Sequence, residues 1–523
     1  MVNGLRAAWG LLSAGLLALA FPAADLWPLA FVALVPLLVA TAGAPPAGAL
    51  AVGGLSGTAF AAAHLWGLTV AMAEFGGIAR PLTALLLLLL AVYVGAYVGV
   101  FAAGWAWSAR LPPVARLLFA GALWAALEYA RTHLLTGFPW AFLAYTQYRN
   151  IPLIQVAAWT GVYGVSFLVA LANLALTLLI LHRHVWATAA RVVLVGLAAF
   201  GAALGLPRLA HRPPEEPALR VAVVQGNIPQ GVKWSPAWRL RTAEMYRRLT
   251  LEAARTAPTL IVWPETALPF VLTRDADARE WLGRLAVEAR AFLVVGSPDV
   301  TAASPPRYTN SAFLVSPERG ITGRYDKIHL VPFGEYVPLR RLLFFADKLA
   351  QGAIGDFVPG AEPTVLAAPD FHLGVTISYE VYFPQEVRQF VLRGADVLAN
   401  ITNDAWYGRT AAPYQHLAMA VFRAVENRAY LVRAANTGVS AIVAPDGRIV
   451  ARSEIFTEAV LTGEVRLRPR QAFYTFYTHY GDLFAWITLA VATAAPVALV
   501  VGRKLQLLND RKSAPQTSRS GGT

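Results

Sequence analysis

A chain of 523 residues is too long for one ordinary domain, and at 57% hydrophobic and 14% charged residues it is too apolar to be soluble throughout. Its net charge of +13 is spread over scattered arginines, which argues against a nucleic-acid surface and for one facing anionic lipid head groups. The absence of cysteine excludes disulfides and thiolate metal sites.

The apolar residues crowd into the first two hundred positions and a short block near the end. A helix crossing a bilayer needs about 20 mostly apolar residues. That rule predicts spans at Gly4–Phe21, Trp27–Thr41, Gly48–Ala73, Pro81–Trp107, Val114–Arg131, Gln155–Leu181, Ala189–Pro207 and Asp482–Val501, two of them short. Phe21-Pro22 reads as a corner between helices, so the first span is not a cleaved signal. Arg6, Arg110, Arg116, Arg183, Arg191, Arg503, Lys504, Arg511 and Lys512 then fall on one side, which the charge rule makes cytoplasmic. Seven crossings place Ala210–Tyr480 on the other side.

Arg212–Pro217 (RPPEEP) reads as a linker. Strand signals follow at Leu219–Gln225, Thr259–Trp263, Phe292–Gly296, Ser311–Val315, Gly374–Ile377, Val397–Ala399, Leu431–Ala434 and Val439–Val443. Helical patterns at Ala237–Ala257 and Asp275–Arg290 lie between them, which predicts an α/β layered domain. Turns at Pro317–Gly320 and Pro445–Gly447 predict hairpins and so mixed sheets. The expected organisation is a helical membrane domain over 1–209, an α/β domain over 218–470, a closing helix over 482–503 and a disordered cytoplasmic tail over 509–523.

Three stretches each end an apolar run on a reactive side chain: Leu260–Glu265 (LIVWPE), Gly323–Val331 (GRYDKIHLV) and Leu373–Glu380 (LGVTISYE). They deliver Glu265, Lys327 and Ser378 to strand ends, where α/β folds build sites. With Lys327–Pro338 (KIHLVPFGEYVP), Ile377–Pro384 (ISYEVYFP), Asn400–Gly408 (NITNDAWYG) and Arg423–Ala435 (RAVENRAYLVRAA), they make the chain resemble the apolipoprotein N-acyltransferase family of the nitrilase superfamily. The resemblance covers essentially the whole chain. It implies a polytopic membrane domain of about eight helices joined to an extracytoplasmic αββα sandwich, in a bacterial inner membrane. It also implies transfer of a fatty acyl chain from a phospholipid to the α-amine of a diacylated lipoprotein cysteine, by a monomer with no cofactor or metal.

Carried over by position, the resemblance makes Glu265 the general base, Lys327 the oxyanion stabiliser with backbone N–H groups around Tyr379, and Ser378 the occupant of the nucleophile position. Glu335 and Glu380 match supporting glutamates, and Trp234 a tryptophan on a mobile loop. The family's nucleophile is a cysteine. A serine hydroxyl is far less acidic than a thiol of pKa ~8.5, so acylation is expected to be slowed severely. An engineered substitution, an inactive or repurposed relative and a working serine variant all stay open. His329, two residues past Lys327, is read as facing away from it, and His416 lies beyond Asn400–Gly408.

Several residues read as structural: Glu74 and Arg80 as solvated at a helix end, His182 and His184 as topology signals, and His64 as packing. Trp105, Trp107, Trp124 and Trp140 read as interfacial belts. Asn403 and Asp404 read as loop braces bonding to backbone, and the aromatic run Phe473–Tyr480 as a membrane-surface anchor. Two rival functions remain: a membrane-tethered amidase or nitrilase-type hydrolase, and a non-catalytic lipid or lipoprotein binder.

Overall fold

The computed structural model describes residues 4–181, 191–192, 195–196, 218–301, 303–304, 306–337, 357–468 and 474–497. The predicted linker Arg212–Pro217, His182, His184 and the tail lie outside these residues, as do Pro338, Phe473 and most of the span Ala189–Pro207.

The helical region comprises α1 (Gly4–Ala20), α2 (Val35–Thr41), α3 (Pro46–His64), α4 (Arg80–Trp107), α5 (Pro113–His133) and α6 (Val162–Leu181). Among the described residues three helices are long and apolar enough to cross a membrane: α3, α4 with its 3-10 extension to Arg110, and α6. Others are broken. Trp27–Thr41 splits into a 3-10 turn at Trp27–Phe31 and then α2, whose second residue is Pro36. The expected Gln155–Leu181 helix is interrupted at Gly161, whose φ is +64° and which packs against Tyr477. Pairing of α3 with α4 depends on small residues, since a Cβ at Gly57 would stand 2.8 Å from Gly95 Cα. On its other face α4 exposes Leu85, Leu88, Leu89 and Val92, a stripe suited to lipid rather than water.

The tryptophans correct the belt reading. Trp105 is fully buried and donates Nε1–H to Leu38 O at 2.9 Å. Trp140 is buried and bonds Gln415, and Trp124 bonds Glu128. His64 packs as expected, between Phe21 and Phe60.

The α/β domain holds two six-stranded sheets. One runs β12-β1-β2-β3-β4-β5, from β1 (Ala218–Gln225), β2 (Leu260–Val262), β3 (Phe292–Val300), β4 (Tyr308–Ser316), β5 (Gly320–Asp326) and β12 (Ala459–Arg466). The other runs β11-β10-β9-β8-β7-β6, from β6 (Val365–Ala367), β7 (His372–Ile377), β8 (Val397–Thr402), β9 (Leu431–Ala435), β10 (Ala441–Val443) and β11 (Ile449–Arg452). Each has three parallel strands, β1-β2-β3 and β7-β8-β9, flanked by antiparallel ones.

Alternation along β1 explains the layers. Val221 and Val223 face the second sheet, while Ala222 and Val224 join Tyr246, Leu249, Leu282 and Leu285 from α7 (Pro236–Ala254) and α8 (Ala276–Ala289). On the second sheet Gly374 lies against Phe390 of α9 (Pro384–Leu392). With α10 (Ala412–Asn427) these helices complete an αββα sandwich.

Every residue of α10 except Tyr414 is buried, because one side meets the sheet and the other the helical region. Gln415 takes the Trp140 bond, and Glu426 accepts from the Val162 N–H that starts α6. The aromatic run is likewise docked: Tyr477 is fully buried and Thr478 bonds Asn427, leaving Phe476 and Tyr480 exposed.

Candidate active site

Glu265 follows β2 by three residues. Trp263 anchors that end of the strand, stacked 4.7 Å from Tyr246 and bonded to Thr250. The Glu265 carboxylate accepts from Asn310 Nδ2 at 2.7 Å and from the Asn403 N–H at 2.9 Å. Lys327 lies just past β5, its N–H bonded to Asn310 O at 2.8 Å. Its Nζ stands 2.9 Å from Glu335 Oε2 and 3.8 Å from Glu265 Oε1. Asn310 also donates to Glu335 at 2.9 Å, so one amide bridges both carboxylates.

Burial raises the pKa of Glu265, with Lys327 opposing and Glu335 adding to the rise. Burial works to lower that of Lys327, but Glu335 and Glu265 outweigh it and the net direction is up. The lysine is thus a fixed cation and Glu265 a carboxylate more basic than usual, the pairing a proton-transfer site needs.

Ser378 stands where β7 gives way to a 3-10 turn, at φ +52°, the left-handed region a non-glycine residue enters only under constraint. It is partly exposed, whereas Glu265 and Lys327 are buried. Among the described residues Ser378 has no hydrogen bond to Glu265 or Lys327. The link runs through two consecutive residues: Thr402 Oγ1 is 3.4 Å from Ser378 Oγ, and the Asn403 N–H bonds Glu265.

Glu380 is a clamp. Its carboxylate accepts from Tyr325 OH, the Ile328 N–H and the Ile377 N–H, each at 2.6 Å, and from the His329 N–H at 3.2 Å, so the ends of β5 and β7 share one side chain. Burial pushes its pKa up to about 7 against those bonds. Tyr379 is buried, and its hydroxyl donates to Gly137 O of the helical region at 3.0 Å.

Trp234 stays apart from this cluster, half exposed; its neighbour Lys233 is the buried one, donating to Glu265 O at 3.2 Å. Burial brings the Lys233 pKa down to about 8. Sequence reasoning missed Lys233 and Asn310. The second lies between Thr309 and Ser311 in the polar first half of β4, so no contrast with an apolar run marked it.

Two readings need correction. His329 does turn away, to Glu386 at 2.6 Å, but strand alternation is not the cause, since residues two apart share a face. The strand ends at Asp326, before either side chain. Asn403 and Asp404 bond mainly to side chains rather than backbone: Asn403 to Gln230 and Asn436, Asp404 to Thr402, His416 and Arg433. Among the described residues no group of three or more His, Asp or Glu is arranged to hold a metal ion.

Comparison with known proteins follows the same division of the chain. Residues 13–175 match the apolipoprotein N-acyltransferase N-terminal domain, and residues 220–473 match the carbon-nitrogen hydrolase family. An amidase from Nesterenkonia AN1, solved as a mutant, aligns at TM-score 0.37 and 22% identity over 50% of this chain and 94% of its own. The apolipoprotein N-acyltransferase of Geobacter metallireducens is 43% identical over 508 residues, 94% of each chain. That of Azotobacter vinelandii is 38% identical over 84% of this chain and 85% of its own. By this likeness over nearly its full length, the chain belongs to the apolipoprotein N-acyltransferase family.

Proposed function

We propose that the chain moves a fatty acyl group from a phospholipid to the N-terminal α-amine of a diacylated lipoprotein cysteine, through an acyl-enzyme at position 378. Glu265 takes the hydroxyl proton as the Ser378 oxygen attacks the ester carbonyl. The bond to glycerol breaks, and the departing lysophospholipid oxygen receives that proton. The amine then attacks the acyl-serine ester, its nitrogen loses a proton to Glu265, and the Ser378 oxygen leaves and is reprotonated as the amide forms. Lys327 and N–H groups near Tyr379 stabilise the negative charge of both tetrahedral intermediates.

The bond from Tyr379 OH to Gly137 O carries this reading, because it sets the nucleophile position beside the helical region, where acyl chains travel. The proposed arrangement is eight spans in a bacterial inner membrane, the α/β domain over 218–470 on the periplasmic side and a monomeric enzyme.

Intact mass after incubation with phospholipid tests it. Ser378→Cys is expected to form an acyl adduct that a diacylated peptide removes, faster than the parent. An adduct removed by water alone would favour the hydrolase, and no adduct on either form would leave a binding protein.

A further inference from the structure

Asp404 is fully buried and sits at a junction of three short bonds. It accepts from His416 Nδ1 at 2.8 Å, Arg433 Nη2 at 2.7 Å and Thr402 Oγ1 at 3.0 Å. Arg433 in turn donates to Asn400 Oδ1. Three of these partners extend to residue 378. His416 Nε2 lies 3.3 Å from Ser378 O, Asn400 Nδ2 lies 3.5 Å from the same oxygen, and Thr402 Oγ1 lies 3.4 Å from Ser378 Oγ.

The donor inventory fixes how each arm points. Arg433 has only donors, so Asn400 turns its oxygen to it and its amide hydrogens toward Thr376 and Ser378. Burial works to raise the pKa of Asp404, but Arg433 and His416 hold it down at about 2, so the carboxylate only accepts. Thr402 Oγ1–H faces two acceptors, Asp404 Oδ1 at 3.0 Å and Ser378 Oγ at 3.4 Å, and the shorter contact to the carboxylate orients it. Both ring nitrogens of His416 face acceptors, Asp404 Oδ1 and Ser378 O, while burial and then Arg433 lower its pKa on balance against Asp404. A residue in the left-handed region is strained and keeps that conformation only where its surroundings hold it.

We propose that Asp404 is a positioning residue for the nucleophile: through His416, Arg433–Asn400 and Thr402 it holds the strained backbone and the Oγ of residue 378 in register with Glu265.

This rests on the acyl-transfer reading, so the full-length chain carrying Ser378→Cys is the parent, in detergent with a phospholipid of one acyl composition. If that parent forms no adduct, the acyl-transfer reading and this proposal fall together. With an active parent, adding Asp404→Asn is expected to slow adduct formation at saturating lipid about 100-fold, the cost of a misplacement near 1 Å. The lipid concentration for half-maximal rate is expected to stay the same. A merely structural role would lower the thermal midpoint and the fraction of competent protein, leaving the rate per competent molecule unchanged; that result overturns the proposal. Should Asp404→Asn fail to fold, Thr402→Val and Thr402→Ser decide. The valine form is expected to be slow and the serine form restored, and equal rates refute the positioning role.

Discussion

On the first sheet Asn310, Glu265 and Glu335 meet in bonds of 2.7–2.9 Å, with the Lys327 ammonium 2.9 Å from Glu335. On the second sheet the contacts that reach residue 378 measure 3.3, 3.4 and 3.5 Å. The proposed acid–base half is closed by short bonds, although Asn310 Oδ1 finds no partner among the described residues, while the proposed nucleophile half is held by longer contacts to a buried hub behind it. The 3.4 Å gap at Ser378 Oγ is long for O–H···O, whose usual separation is about 2.7–2.8 Å. It suits a larger, more weakly bonding sulfur. The difference teaches that the two halves are held by separate contacts, so exchanging oxygen for sulfur at residue 378 need disturb nothing on the first sheet.

The sharpest way to break the comparison is Glu265→Gln, which keeps shape and removes the base. Acyl transfer measured on the Ser378→Cys form is expected to fall about 10²–10⁴-fold, the usual worth of a positioned base. The same half sets the pH profile. Glu265 must be ionised to accept a proton, and its pKa lies above the ordinary carboxylate value. Activity is therefore expected to fall as pH drops through that raised pKa, earlier than for an exposed glutamate. A flat profile there would remove Glu265 from the base role.

Next in size is Glu380→Gln, which strains the tie between the halves. All four partners are donors: Tyr325 OH and the N–H groups of Ile328, His329 and Ile377. An amide must turn its NH2 toward at least one of them. The expected loss is about 1–3 kcal/mol of stability, read from the thermal midpoint in detergent. A variant as stable as its parent would mean that the clamp already holds a protonated carboxyl.

Legibility in the sequence followed the same division. Strand ends and their reactive residues were readable because short apolar runs stop before Glu265 and Ser378, and the flanking motif Gly323–Val331 marks Lys327. β6 and β12 were missed, and β5 and β11 entered only as the far arms of the hairpins predicted at Pro317–Gly320 and Pro445–Gly447. Their burial alternates or is partial, as in Ile449–Arg452, so no apolar run marks them. The flanking motifs carried Glu335 and Glu380, but no pattern in one dimension brings Asn310 to Glu265, or Arg433 and His416 to Asp404. Those pairings arise from tertiary packing: the order β2-β3-β4 brings Asn310 beside Glu265, and β9 with α10 brings Arg433 and His416 to Asp404. Breaks inside the helical region, at Gly161 and before α2, were hidden by uniform apolarity. The tryptophans misled for a related reason: Trp105 and Trp140 each find a buried acceptor far along the chain.

The smallest expected effect, and the finest probe of the comparison, is Trp263→Phe. Trp263 is fully buried two residues before Glu265, stacked on Tyr246 and donating Nε1–H to Thr250 Oγ1 at 3.0 Å. Phenylalanine keeps an aromatic ring on Tyr246 but forfeits that bond, an expected cost of about 0.5–1.5 kcal/mol. The thermal midpoint should fall accordingly. The acylation rate should barely move, because Glu265 itself is held by Asn310 and by the Asn403 N–H rather than by Trp263. A rate loss comparable to that of Asp404→Asn would show that the acid–base half depends on its supports as the nucleophile half does. Stability lost without rate would mean that the first sheet over-determines its carboxylate, leaving residue 378 as the position where geometry limits the reaction.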